Sequence, residues 1–260
     1  FKQKTAYEIR LSLVGSEMCI RDRSFSAGRL LLLDTNDKSL VAISTELKTP
    51  NIIAGPQQLG DARIASINGS NAFVYSLDKG ILHLDIDTKK TSVVSQKDEG
   101  WGEIKDLFGF SGNVYGLDSG KNMIWKYAPT ESGYSQKQEY LRSEANLGLA
   151  KRMVIDYSVW VLTSEPDILK FTGGGSDFYA MSGLNDPLTQ IDGLFVPEEL
   201  DAVFILDKST NRILVTKKNG EYLAQYINPE FFKVSDFFVD EEIKKIYLLI
   251  ENKIYTTALK

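Results

Sequence analysis

The sequence predicts an all-β protein, a six-bladed β-propeller of four-stranded antiparallel blades, and three observations lead there. An apolar strand closing on a turn residue recurs along the chain: RLLLLD ending at Asp34, FVYSLD at Asp78, NVYGLD at Asp118, SVWVLT at Thr163, AVFILD at Asp207 and KIYLLI at Ile250. Those ends are 44, 40, 45, 44 and 43 residues apart, the length of one four-stranded blade. Short strands with turn signals about every ten residues fill the chain, and no stretch carries the 3.6-residue apolar period of a helix.

Residues 1–23, FKQKTAYEIRLSLVGSEMCIRDR, stand apart from all that follows. KQKTAYEI at 2–9 resembles one reading frame of a short-read library primer, and LVGSEMCIRD at 13–22 resembles the transposase-end sequence that follows it. The segment is identified as a translated sequencing adapter and is expected to lie outside the fold. A signal peptide does not fit, because Arg10, Ser12, Gly15, Ser16 and Glu17 break its apolar stretch. The expected domain is then 24–260, a single propeller truncated at its N-terminus. Its first blade is expected to lack an inner strand and its last an outer strand, two gaps that one lost upstream segment explains.

Each repeated strand is followed closely by a second one, SLVAIS, GILHLD, MIWKY, DILKF, RILVT or KIYTT. Connections such as DSGKN at 118–122 and DKST at 207–210 supply residues that tolerate hairpin dihedrals or bond their own backbone, so each pair reads as a β-hairpin. A third strand is expected at 91–94, 138–141, 177–180 and 222–226, where aromatic and β-branched residues gather. Ahead of every hairpin but the first lies an inner strand, RIASI, EIKDLF, KRMVI, QIDGLF or VSDFFV. Strands apolar on both faces suit sheets packed between neighbours. Solenoids, the first alternative, repeat at shorter periods, and sandwiches, the second, lack internal self-similarity.

In strand order and in the phrase GFSGNVYGLDSGKNMIWKY at 109–127, the unit resembles an NHL-type repeat over residues 29–258. More narrowly, VYGLD, VWVLTSEPDILKFTGG, VFILDKSTNRILV and KKIYLLIENKIYTT resemble C-terminal propellers of bacterial proteins that carry a PPM-type protein phosphatase domain upstream. The resemblance implies that any phosphatase activity belongs to that upstream part, since no phosphatase metal-ligand motif occurs here. Such propellers host enzymes, sensors and binding platforms alike.

Composition removes several chemistries. Thirty Lys and Arg face thirty-five Asp and Glu for a net charge of -5, with no basic cluster among the aromatics, so no nucleic-acid partner is expected. No apolar run approaches the roughly 18–20 residues of a membrane helix. One Cys and one His exclude a disulfide framework and a Cys/His zinc site, and Cys19 lies in the adapter-like segment, so localisation is left open. The aspartates at 34, 78, 118 and 207 read as side chains bonding their turns rather than a metal ring. His83 reads as a packed or rim histidine, Gly173 to Gly175 as a hairpin tip, and the tryptophans as inter-blade core, with Trp101 the better candidate among them for a rim contact.

One candidate site follows from equivalent positions. Counting back from the strand ends puts Arg63, Asp106, Lys151, Asp192 and Asp236 near the starts of successive inner strands, where a mixed-charge ring would meet the central channel. Buried unpaired charge is costly, so these groups must meet water, each other or a ligand. The expected function is a non-catalytic platform that binds a protein, peptide or other ligand, without a cofactor. The alternative is a hydrolase similar to lactonases and gluconolactonases, with Asp106, Asp192 and Asp236 holding a divalent cation and Arg63 and Lys151 facing an anionic part of the substrate.

Overall fold

Each hairpin closes through its own turn chemistry. Asp34 accepts hydrogen bonds from the amides of Asn36 (2.8 Å) and Asp37 (3.3 Å), and Lys38 takes a left-handed φ of 49° to complete the turn. Asp207 accepts from the hydroxyls of Ser209 and Thr210 and from the Thr210 amide, and Asp118 from the Lys121 amide before the left-handed Asn122. The fold so nucleated is seen in a computed structural model that describes residues 7–9, 20–34, 36–46, 49–250 and 253–259, with side chains from Ser24 onward. It is an all-β six-bladed propeller whose blades are four-stranded antiparallel sheets.

The chain divides into two compact units. The first strand, β1 (Tyr7–Ile9), belongs to the last sheet of the second unit. In the first unit, residues 13–148, one sheet runs β2 (Ile20–Ser26), β3 (Arg29–Asp34), β4 (Ser39–Ser44) and β5 (Pro50–Ala54). After the one-turn helix α1 (Pro56–Leu59) comes β6 (Ala62–Asn68), β7 (Asn71–Ser76), β8 (Gly80–Asp85) and β9 (Thr91–Ser95). The third sheet holds β10 (Ile104–Phe110), β11 (Asn113–Asp118), β12 (Met123–Tyr127) and β15 (Gln138–Glu139), interrupted by the small hairpin of β13 (Pro129–Thr130) and β14 (Gly133–Tyr134). That hairpin, which the sequence did not foretell, sets the Tyr134 ring on Phe73 and His83 of the preceding sheet.

In the second unit the sheets are β16 (Ala150–Ile155) to β19 and β20 (Gly193–Phe195) to β23, where β17 is Ser158–Thr163, β18 Ile168–Thr172, β19 Gly175–Asp177, β21 Val203–Asp207, β22 Arg212–Thr216 and β23 Tyr222–Ile227. The last sheet runs β24 (Val234–Asp240), β25 (Lys245–Ile250), β26 (Lys253–Ala258) and then β1. Every sheet therefore keeps the predicted order, inner strand first and outer strand last.

The cores lie between neighbouring sheets of a unit. Leu31, Leu33, Leu40 and Ala42 of one sheet meet Ala65, Ile67, Val74, Leu82 and Leu84 of the next, all buried. Side chains buried this fully contribute about 1.5–3 kcal/mol each for the larger residues. Serines stitch inner strands together: Ile67 N donates to Ser24 Oγ (3.1 Å), Gly69 N to Ser26 Oγ (3.0 Å) and Gly109 N to Ser66 Oγ (3.3 Å). At Gly109 a Cβ would stand 2.4 Å from the Phe73 ring, so only glycine lets that ring enter the next sheet.

Four expectations change. The first sheet has an inner strand, since Ile20–Ser26 pairs with β3, and the last has an outer one, since Tyr7–Ile9 pairs with β26. An open sheet edge offers unpaired amides and carbonyls to any extended segment, which is the physical reason residues before Ser24 are drawn into sheets. The second-sheet repeat ends at Ser76, paired with Ala62, and not at Asp78, which sits two residues into the turn. In the β16–β19 sheet the outer strand is Gly175–Asp177, earlier than the expected 177–180.

Candidate functional site

The inner strands start with a shared irregularity that fixes where their charges point. Ala62 pairs with Ser76 but Ile64 with Tyr75, so Arg63 is an extra, bulged residue, and the same offset makes Lys105, Lys151 and Ser235 the extra residues of β10, β16 and β24. A bulge re-aims its side chain and displaces the alternation by one position. Arg63 and Lys151 are thus bulge residues, whereas Asp106 and Asp236 occupy the paired position after the bulge. The residue of β16 at that paired position is Arg152, which the sequence comparison passed over in favour of Lys151.

In the second unit Arg152 Nη1 stands 2.8 Å from Asp236 Oδ1, joining the inner strands of two sheets 84 residues apart. The Asp236 side chain is only 6% exposed and also accepts from the Phe237 amide at 2.8 Å, so its charge is met by a cation and a dipole. Asp192 lies just before β20 and accepts from the Lys208 amide (2.9 Å) and from Gln190 Nε2. Lys151 is exposed and takes no part in the Arg152–Asp236 pair.

In the first unit Arg63 Nη2 bonds Asp61 Oδ2 at 2.6 Å, and Lys105 Nζ bonds Glu103 Oε1 at 2.5 Å. Both acids precede the bulge by two residues, and both have their amides held by the hairpin turn that follows in the same sheet: Asp61 N donates to Asp78 Oδ1 (2.7 Å) and Glu103 N to Asp118 Oδ1 (2.9 Å). Asp106 accepts from the Leu107 amide at 2.8 Å. The recurrent aspartates are therefore structural acceptors, as expected, with Asp78 and Asp118 reaching across to fix the start of the inner strand.

Beside Arg63 opens a recess of about 450 Å³ lined by Leu33, Asp34, Lys38, Asp61, Ala62 and Arg63. Asp34 is 2% exposed and its Oδ1 serves its own turn, and Asp61 is engaged by Arg63. Arg63 Nε is buried with no hydrogen-bond partner, and Lys38 is exposed at the rim. An amide-like donor left so costs about 1–3 kcal/mol. The arrangement can take one anionic or carbonyl group of a ligand.

Other candidates resolve into structure. His83 holds Asn71 Oδ1 at 2.7 Å through Nε2 and Ser92 Oγ at 3.2 Å through Nδ1, against the Phe73 ring, and burial pushes its pKa down while Asp85 opposes the shift. Trp101 is not a rim residue: it is buried, donates to Tyr127 Oη at 3.0 Å and meets the Tyr75 ring edge-on. Its apolar ring simply gains more from the core than from water. Gly173 and Gly174 form the β18–β19 hairpin tip at φ 58° and 83°. Among the described residues no three His, Cys, Asp or Glu side chains group as a metal-holding set.

A second polar cluster, unforeseen, sits at the opposite ends of the inner strands of the second unit. Lys218 Nζ reaches Asp156 Oδ2 (2.9 Å) and the Pro197 carbonyl (2.8 Å). Burial pushes the Asp156 carboxyl up, but bonds from Lys218, the Ser158 amide and Trp160 Nε1 outweigh it and hold the pKa below the usual value. Glu198 and Glu241 are pushed up, by burial first and then by the charge of Glu199. Glu198, Lys218 and Glu241 stand in separate loops, so they gave no spacing signal.

No family model and no curated protein matches this chain. Solved structures do. A gluconolactonase of Xanthomonas campestris superposes with a TM-score of 0.64 at 11% identity, over 94% of this chain and 86% of that one. A chain of a nidogen/laminin complex gives 0.61 at 15% identity over 82% of each, and YCF48 bound to D1 peptide gives 0.59 at 12% over 95% and 81%. At such identities the likeness is one of fold.

Proposed function

We propose that this chain is a non-catalytic binding propeller that engages a protein, peptide or other ligand, rather than a metal-dependent hydrolase. One observation carries the reading: the inner-strand carboxylates are already engaged by the chain's own donors, Asp236 by Arg152 and the Phe237 amide, Asp192 by the Lys208 amide, and Asp106 by the Leu107 amide. A metal centre would need those oxygens directed to one cation at roughly 2.3–2.6 Å. In each unit the starts of the inner strands are the positions offered to a ligand, Arg63 and Asp106 in one and Lys151, Asp192 and Asp236 in the other. The Arg63–Lys38 recess receives an acidic or carbonyl group of that ligand.

Neighbours in fold include YCF48 bound to D1 peptide and a nidogen/laminin complex, in support of a binding role, and a gluconolactonase and a calcium-binding regucalcin of Agrobacterium tumefaciens, which keep the hydrolase as the second reading. In the same proposal the repeats are NHL-like, the propeller serves a larger bacterial protein with an upstream phosphatase domain, and residues 1–23 are adapter-derived. Recovering 1–23 from an independently cloned gene would contradict the last point.

The test is a pair of assays on the purified chain. An array of synthetic peptides bearing Asp, Glu or a free C-terminal carboxylate should yield binders lost on Arg63→Ala with Lys38→Ala. Gluconolactone hydrolysis in calcium, manganese or zinc should not exceed the buffer rate, and metal-dependent turnover would establish the hydrolase instead.

A further inference from the structure

One lysine gathers the far ends of the inner strands of the second unit. Lys218, in the turn between β22 and β23, sends its Nζ to Asp156 Oδ2 just past β16 (2.9 Å). The same Nζ meets the carbonyls of Pro197 (2.8 Å) and Glu198 (3.3 Å) just past β20, and the Lys218 amide donates to Asp201 Oδ1 (3.0 Å). Lys218 therefore tethers the 196–202 loop between β20 and β21 at two places. Because β20 packs between β16 and β24, that loop has the β16–β17 turn on one side and the β24–β25 turn, with Glu241, on the other.

Charge is unevenly matched around this loop. Lys217 is spent on Glu221 (2.7 Å), and Lys218 on Asp156. Exposed Glu198 faces Glu199, Asp156 and Lys218, and half-buried Glu241 faces Glu199 from the loop, Lys218 from the β22–β23 turn and Lys244 from its own turn. Glu241 Oε2 is buried with no hydrogen-bond partner. A carboxylate oxygen so placed has lost water and gained no donor, a cost that falls if the group takes up a proton or if the loop lifts and admits water. Burial, aided by the Glu199 charge and opposed by the Glu199 amide, Lys218 and Lys244, pushes the Glu241 carboxyl above its ordinary 4.5.

We propose that the 196–202 loop is an acid-set clasp: proton uptake by Glu241 closes it against the β24–β25 turn, and ionisation of Glu241 loosens it while Lys218 keeps it tethered. The linkage has a definite sign. The closed loop holds the proton more tightly than the open one, so closure weakens as pH rises through the raised value and is fully favoured below 4.5. The tether survives through that window, because Asp156 is held below 3.8, against its burial, by the bonds from Lys218, the Ser158 amide and Trp160. The clasp lies at the ends of the inner strands opposite the candidate ligand positions and needs no ligand.

Hydrogen exchange of the full chain tests it, each rate being divided by that of an unstructured peptide at the same pH. At about pH 7.5 the amides of residues 198–202 should exchange faster than those of buried Ile246 to Leu249, which marks the opening as local. Between about pH 7.5 and about pH 4.5, a range that spans glutamate titration, their protection should rise severalfold. Glu241→Gln should show the high protection already at the upper pH and lose the dependence. Glu242→Gln, which removes an exposed charge from the same turn, should keep it. Protection unchanged across the range, a dependence retained by Glu241→Gln, or one lost equally in Glu242→Gln would each overturn the proposal.

Discussion

Replacing Asp118 with alanine should remove about 4 kcal/mol of stability while leaving the surface unchanged. The carboxylate is fully buried and receives four donors: Gly102 N (2.8 Å) and Trp125 Nε1 (2.9 Å) on Oδ2, Glu103 N (2.9 Å) and Lys121 N (3.1 Å) on Oδ1. Hydrogen bonds to a charged acceptor contribute about 1.5–3 kcal/mol each, so four set a ceiling well above the expected loss. Gly102, Glu103 and Lys121 are exposed residues whose amides regain water, and the carboxylate's own burial cost disappears. Trp125 is 8% exposed and its indole N–H stays unmet. The net, about 4 kcal/mol, is a large share of the 5–15 kcal/mol typical of a folded domain and lowers the melting temperature by roughly 10 °C. Urea unfolding followed by tryptophan fluorescence measures it, with Asp34→Ala as control, since among the described residues that side chain receives its bonds from the exposed turn amides of Asn36 and Asp37 and its loss should cost about 1 kcal/mol. A loss at Asp118 no greater than the control's would refute the view that these aspartates hold the hairpins to the inner strands.

Arg152→Ala should cost about 2 kcal/mol by stranding buried Asp236, discounted because the arginine is 30% exposed, whereas Lys151→Ala should stay within about 0.5 kcal/mol; comparing their urea midpoints tests the bulge offset. Glu241→Gln should raise the urea midpoint at pH 7. Burial lifts the folded carboxyl above its ordinary 4.5, so its ionisation opposes folding above that value and the gain should fade as pH drops below it. Lys218→Met should cost about 3 kcal/mol by leaving Asp156, 4% exposed, with only its N–H donors. Since the Asp156 pKa is held below 3.8 chiefly against burial by the Lys218 bond, its stabilising share is present above 3.8 and lost as pH falls further. Acid titrations of stability should show that dependence reduced in Lys218→Met.

The sheets were legible because their period is short and local: a two-residue alternation, a turn residue and a second alternation recur, and β7–β8, β11–β12, β17–β18 and β21–β22 formed where expected. What a strand pairs with beyond its hairpin was less so. Ser76, and not Asp78, closes its repeat because register is set by pairing with Ala62, a residue fourteen positions away with no sequence mark. The site was half legible for the same reason. Position along the chain located the starts of the inner strands, but one bulged residue exchanges the faces of its neighbours, so Lys151 was read where Arg152 stands. Had Asp61–Arg63 and Glu103–Lys105 been recognised as the same acid, spacer, base pattern, the bulge would have been visible in the sequence. The Lys218 cluster draws on loops of several sheets, and the recess at Arg63 depends on Lys38 in another turn, so neither had a local signature.

Titration calorimetry tests directly whether the inner-strand carboxylates are satisfied by the protein itself. Calcium, magnesium and manganese added to the purified chain should give no more than heats of dilution, and Asp106→Ala with Asp192→Ala should change nothing. Stoichiometric calcium binding abolished by those two substitutions would instead make these carboxylates metal ligands and contradict their engagement by ion pairs and amides.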